Sequence, residues 1–152
     1  EREVMRKAKI SKGSANSILR KLAEGKILER RKTGRMVFYR FNGRNPVARQ
    51  FKVLFNIYSL QKLVDQLKPH CVRITLFGSC AEGTDVSESD LDLLILTQEK
   101  KETTKKTNAF QKNLDRKLSP IIVNTNEFTK LKREDAPLYE RIMKGIILWE
   151  SE

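Results

Sequence analysis

The sequence predicts an α+β fold in two parts: a small basic assembly of helices closed by a β-hairpin, then a small α/β domain with a mixed sheet. Three observations lead there. Residues 1–56 carry 16 Lys+Arg against 4 Asp+Glu, a net charge of +12, whereas residues 57–152 carry 15 of each, so the whole excess sits in the first third. Apolar residues recur at helical spacing up to residue 24 and then alternate on either side of Thr33-Gly34, a switch from period 3.6 to period 2. Further on, short apolar runs ending at Phe77, Leu96 and Val123 alternate with helical stretches, the pattern of a sheet covered by helices.

Composition narrows the class. The chain has 152 residues, enough for one medium domain or two small ones. Its hydrophobic share of 39% and charged share of 33% describe a globular protein. No run approaches the roughly 18 apolar residues of a membrane span, and no secretory signal pattern is present. Cys71 and Cys80 form no CxxC pair and match no zinc spacing, so they read as buried or free thiols of a reducing cytoplasm. One histidine, His70, leaves no basis for a histidine triad or zinc centre. The chain opens at Glu1 without methionine, and the expectation is an upstream segment.

In chain order, residues 3–8 form a short helix with Val4 and Ala8 on one side, and Lys9-Ile10 turn the chain. Ser11 is a good cap for a second helix, whose buried stripe reads Ala15, Ile18, Leu19 and Leu22 before Gly25 ends it. Lys12, Gly13, Ser14, Asn16, Ser17, Arg20 and Lys21 make the opposite face. Short residues there let backbones approach a DNA major groove, while amide and guanidinium groups meet base edges. Residues 27–32 and 36–41 form a hairpin with a basic tip of Arg31, Lys32 and Arg35.

Asn45-Pro46 starts a long helix by cap and N1 chemistry, and Pro69 stops it. Val47, Phe51, Leu54, Phe55 and Tyr58 give it a wide apolar stripe that packs internally or against a second copy of the chain. It continues or breaks near Ser59, with Leu60, Leu63, Val64 and Leu67 beyond. Residues 99–117 read as a lysine-rich helix with Phe110 and Leu114 inward; of its lysines, Lys105, Lys106 and Lys112 are within reach of a triphosphate or form a solvated face. Helices around 127–132 and 138–144 follow the strand at 118–123, and Gly145 precedes a last apolar strand or tail at 146–149. The domain boundaries expected are 1–44, a joining helix at 45–68, and 69–152.

The chemistry concentrates in residues 76–96, LFGSCAEGTDVSESDLDLLIL. A strand ends at Phe77, Gly78-Ser79 bend, and a second strand carries Asp90 and Asp92. Acids two residues apart share one strand face, with about 7 Å between their backbone positions, so both carboxylates can turn to one hard cation such as Mg²⁺. A glycine after an apolar strand lets the backbone approach phosphate closely, amides at the next helix start point at the anion, and the Ser79 hydroxyl adds a donor.

Gly78-Ser79, ten residues, then Asp90-Leu91-Asp92 between apolar strands resembles the minimal nucleotidyltransferases of the DNA polymerase beta superfamily, and Ala81, Gly83 and Ser89 also fit that pattern. The resemblance implies that Gly78 and Ser79 hold nucleotide phosphates and that Asp90 and Asp92 are catalytic and hold Mg²⁺. Members that transfer nucleotides usually add a third carboxylate on the next strand. Here that strand, 118–123, has no acid; Ser119 or Ile121 stands in its place, and Asp115 and Glu127 only flank it. Two-metal catalysis holds its ions roughly 3.5–4 Å apart, and two carboxylates suffice for the nucleotide-bound one.

The order helix, turn, helix, hairpin over residues 1–42 is similar to the winged helix-turn-helix of prokaryotic transcription regulators, lacking a first helix that would lie upstream. That likeness implies a helix starting at Ser11 that reads double-stranded DNA and a hairpin tip that grips phosphate. Together the two resemblances give a leading expectation: a cytoplasmic DNA-binding regulator whose second domain binds Mg-ATP or another NTP, with transfer activity weak or lost. The alternative is an active minimal nucleotidyltransferase modifying a protein or RNA hydroxyl, as in toxin–antitoxin pairs. A third reading has the basic part bind structured RNA, and paired operator half-sites would call for a homodimer through the 46–67 helix.

Overall fold

The computed structural model describes residues 2–152, and Glu1 lies outside them. The chain divides into two compact units, Glu1–Phe51 and Lys52–Glu152. In the first, α1 (Arg2–Ala8) and α2 (Lys12–Glu24) precede an antiparallel hairpin of β1 (Leu28–Thr33) and β2 (Met36–Phe41). The Ser11 hydroxyl accepts from the Ser14 amide at 3.1 Å and satisfies one of the orphan donors at the α2 start. Ala15 and Leu19 are buried, but Ile18, expected beside them, is 48% exposed. The inward stripe is rotated toward Ala23, so Ile18 at one edge turns to water and Asn16 at the other turns partly in. Asn16 therefore does not stand on the open polar face where the sequence reading put it.

α3 (Pro46–Leu67) begins at Asn45, whose side chain accepts from the Val47 amide at 2.8 Å. It runs unbroken past Ser59, whose hydroxyl bonds back to the Asn56 carbonyl at 2.8 Å. Positions 53, 56, 60, 63 and 67 are its buried line. The stripe picked out in the sequence, Val47, Phe51, Leu54, Phe55 and Tyr58, is instead 45–72% exposed, so it does not pack internally. The helix is apolar on two sides, and the core takes the other one.

In the second unit, β3 (Arg73–Phe77), β4 (Leu91–Leu96), β5 (Leu118–Val123) and β6 (Ile146–Glu150) form one mixed sheet in the order β5-β4-β3-β6. β3 is antiparallel to β4 and β6, while β4 and β5 are parallel. Parallel neighbours need a crossover, which α5 (Lys100–Phe110) supplies. That helix is shorter than the 99–117 expected: a 3₁₀ turn at Gln111–Asn113 follows, and Leu114 adopts extended backbone. α6 (Thr125–Glu134) and α7 (Ala136–Met143) come next, and residues 146–150 form a paired strand rather than a tail.

Alternation sends the strands' apolar residues to two layers. On one side Ile74, Leu76, Leu91, Leu93 and Ile95 meet Leu60, Leu63, Leu67 and Phe110. On the other, Phe77, Leu94 and Ile142 form a smaller cluster with Phe128, Leu131 and Leu138 against it. Each fully buried leucine contributes about 1.5–3 kcal/mol of transfer free energy. Gly145 is fixed by close approach, because a Cβ there would lie 2.6 Å from the Leu76 carbonyl oxygen and 2.8 Å from Thr75 Cγ2. Among the described residues no helix is long and apolar enough to cross a membrane.

Candidate functional site

The predicted bend lies where β3 ends against β4. Gly78 caps the four-residue helix α4 (Ser79–Glu82) with φ 70° and ψ −157°, a backbone region essentially reserved for glycine. Gly83 closes α4 in the left-handed region, and the Thr84 amide donates back to the Ser79 carbonyl at 3.0 Å. A Cβ on Gly78 would fall 2.6 Å from Asp92 Oδ2 and 3.4 Å from an Arg141 guanidinium nitrogen. The bend and the second aspartate are thus in contact although 14 residues apart in sequence.

Asp90 lies just ahead of β4 rather than within it, and Asp92 is its second residue. Both are partly exposed while Leu91 and Leu93 are buried, so the two acids project to the same side. Burial raises the Asp92 carboxyl above the usual range; Arg141 opposes that rise, Asp90 adds to it, and a hydrogen bond from the Ser119 hydroxyl again opposes it. Arg141 reaches Asp92 Oδ2 at 3.9 Å from α7 and lies over the Phe77 ring at 5.8 Å. Lys117 approaches Asp90 Oδ2 at 3.3 Å, with both groups open enough to water that the pair adds little stability.

Strand register settles which residue stands beside Asp92 on β5. Asp92 is opposite Ser119, whereas Ile121 is opposite Leu94 and packs into the smaller core. The neighbour is therefore Ser119. Glu127 is occupied in the capping box of α6 and by Lys100. Lys106, one of the lysines weighed for triphosphate contact, donates to His70 Nε2 at 2.9 Å and to the Gln66 carbonyl at 3.4 Å.

Sequence reasoning missed the clamp behind the site. Arg116 donates to the Ser89 carbonyl through Nε (2.9 Å) and Nη2 (2.7 Å), to Asp85 Oδ2 (2.9 Å), to Asn56 Oδ1 (3.1 Å) and to Cys80 Sγ (3.0 Å). Asn56 in turn donates to the Cys80 carbonyl at 2.9 Å, and the Cys80 thiol donates to the Asp90 carbonyl at 3.0 Å. Asp85 is 3% exposed, and Lys52 also reaches it. One guanidinium thus ties α3, α4 and the loop delivering Asp90 into a single network. The visible signal was Asn56, a polar residue in the apolar line 53, 56, 60. Burial raises the thiols of both Cys71 and Cys80, which form no disulfide.

The donor set suits a hard cation. Two partly exposed carboxylates on one side fit the one or two that Mg²⁺ takes from protein, with substrate oxygens completing the shell, and the bare Gly78 Cα leaves room beside Asp92. Among the described residues no group of three or more His, Cys, Asp and Glu side chains is placed to hold a metal by protein ligands alone.

The predicted DNA-facing residues all belong to the first unit. Lys12, Ser14, Ser17, Arg20 and Lys21 are exposed on α2, and Arg31, Lys32 and Arg35 are exposed on the hairpin. Only Asn16 departs from that open surface, and Ser14 also pairs its hydroxyl with Ser11 at 2.9 Å.

Residues 57–148 match the nucleotidyltransferase domain family. No curated protein matches the chain. Among solved structures, a crystal structure assigned as a nucleotidyltransferase from Sulfolobus solfataricus aligns at 14% identity and a TM-score of 0.45, covering 67% of this chain and 86% of that one. A mutant of the toxin–antitoxin complex MntA-HpeT aligns at 19% identity and a TM-score of 0.45, covering 63% and 74%. The family assignment rests on the sequence match.

Proposed function

Since the chain belongs to the nucleotidyltransferase domain family, we propose that its second unit binds Mg-NTP and transfers the nucleotidyl group to a hydroxyl of a protein or RNA. The observation that carries this is the contact between Gly78 and Asp92, with Asp90 on the same side. In this reading Gly78 and Ser79 hold phosphate oxygens and Asp90 and Asp92 hold the ion, which when bound neutralises charge on the phosphates. The acceptor oxygen bonds to the α-phosphorus as the bond to the β-phosphate bridging oxygen breaks. Pyrophosphate leaves and the hydroxyl proton passes to solvent. Ser119 beside Asp92 in place of a third acid makes transfer slow relative to binding.

Incubation with α-labelled NTPs, Mg²⁺ and candidate acceptors tests the reading. Asp90→Asn and Asp92→Asn are each expected to lower label transfer by at least about 100-fold, the scale for losing one preorganised electrostatic contact. Transfer undiminished in both variants removes the assignment.

A second reading keeps the first unit as a duplex-DNA reader that makes the chain a regulator. It is supported by the exposed Lys12, Ser14, Ser17, Arg20 and Lys21 on one helix followed by a hairpin with a basic tip. Gel shifts with duplex DNA across salt concentrations test it, since phosphate contacts make affinity fall steeply with salt. Self-association through the 46–67 helix rests on its exposed apolar stripe, and sedimentation showing only monomer at micromolar concentration removes it.

A further inference from the structure

The two sides of the β1–β2 hairpin differ. Register pairs Leu28 with Phe41, Arg30 with Tyr39 and Lys32 with Val37 on one side, and there Leu28, Val37, Tyr39 and Phe41 are partly buried. On the other side Glu29 faces Arg40, Arg31 faces Phe38 and Thr33 faces Met36, and all six are exposed. Phe38 is 52% and Met36 61% exposed. The hairpin thus packs through its first side, and the Phe38 ring is not needed for it. Glu29, Arg31, Thr33, Phe38 and Arg40 line a shallow depression on that open side.

An aromatic plate facing water is unusual on a hairpin that already has an apolar side. Its flanks specify the occupant. Arg31 lies directly across the ladder and Arg40 two residues along the same strand, so two arginine positions neighbour Phe38 on this side and line the same depression. Residues 1–51, the unit that holds the hairpin, carry 15 Lys+Arg against 4 Asp+Glu, an excess that calls for a polyanion. A polyanion that also offers flat apolar faces is a nucleic acid with unstacked bases, since a duplex keeps those faces covered.

We propose that the open side of the hairpin is a stacking site for an unpaired base of single-stranded nucleic acid, with Phe38 under the base and Arg31 and Arg40 on the flanking phosphates. Glu29 supplies an acceptor beside the ring for an exocyclic amino group. The site is separate from the α2 face considered for duplex DNA, and it does not depend on nucleotidyl transfer.

The test is fluorescence anisotropy on the full chain with labelled single-stranded RNA and DNA oligomers, the matching duplex, and anionic phosphatidylserine vesicles. Single strands are expected to bind more tightly than the duplex. Phe38→Ala should weaken single-strand binding about five- to 100-fold while leaving the salt dependence unchanged. Arg31→Ala should instead reduce the salt slope by about one. Phe38→Leu keeps apolar bulk but removes the ring, so it should bind as poorly as Phe38→Ala, while Phe38→Tyr should restore binding. Leucine binding as well as phenylalanine overturns the proposal, as do equal losses on duplex and single strand, or binding to vesicles but not to oligomers.

Discussion

Arg116→Ala is expected to destabilise the second unit by about 3–5 kcal/mol, the range for removing one partner of a buried charge pair. The loss is large because Asp85, 3% exposed, would lose its nearest cationic partner inside the fold. Lys52 remains at 3.8 Å from Asp85 Oδ2 and Asn56 at 3.3 Å from Oδ1, which together offset part of the cost. Two donations to the Ser89 carbonyl and one to Cys80 also disappear. Against a total of about 5–15 kcal/mol for a domain of this size, such a loss is a large fraction. Urea unfolding followed by circular dichroism measures it. Replacing both partners, Arg116→Met with Asp85→Leu, should recover part of the loss, because the buried carboxylate is then gone and only the partly exposed Lys52 is left without it. A single-variant loss below about 1 kcal/mol, the scale of a surface ion pair, would show that the network does not hold the loop.

Gly78→Ala is expected to weaken Mg-NTP binding about 10- to 100-fold, the range seen when the groups orienting a metal ligand are disturbed. Two costs combine. Alanine at φ 70°, ψ −157° carries about 1–3 kcal/mol of backbone strain. Its Cβ would lie 2.6 Å from Asp92 Oδ2, so the carboxylate must swing away, and Arg141, 3.4 Å from the same point, limits where it can go. Isothermal titration with Mg²⁺ and a non-hydrolysable ATP analogue reads the affinity, and thermal unfolding separates it from stability. An alanine variant that binds like the parent would show that Asp92 does not act from its present position.

How much of this was legible depends on the distance over which each feature is specified. The bend and the aspartates were readable because glycine chemistry and strand alternation act within a few residues; Asp90 falls just ahead of β4 and Asp92 within it, both partly exposed. The lack of an acid in residues 118–123 was also legible, and only the register decided for Ser119 over Ile121 as the neighbour of Asp92. Burial of α3 was misread because periodicity reports that a helix is apolar on a side, not which of two such sides meets the sheet. The same ambiguity, a rotation of one stripe by part of a turn, exposed Ile18 and drew in Asn16. Arg116 was invisible since its partners lie up to 60 residues away, and nothing local distinguishes it from a solvated arginine.

The place of β6 in the sheet also bears on synthesis. β3 is hydrogen-bonded on one side by β4 and on the other by the last strand in chain order. While a ribosome is still making residues 146–150, the nascent unit presents β3 as a bare edge of alternating apolar residues, the kind of template on which chains aggregate. Pairing of that segment caps the edge, so deleting residues 146–150 is expected to make the chain aggregate more readily.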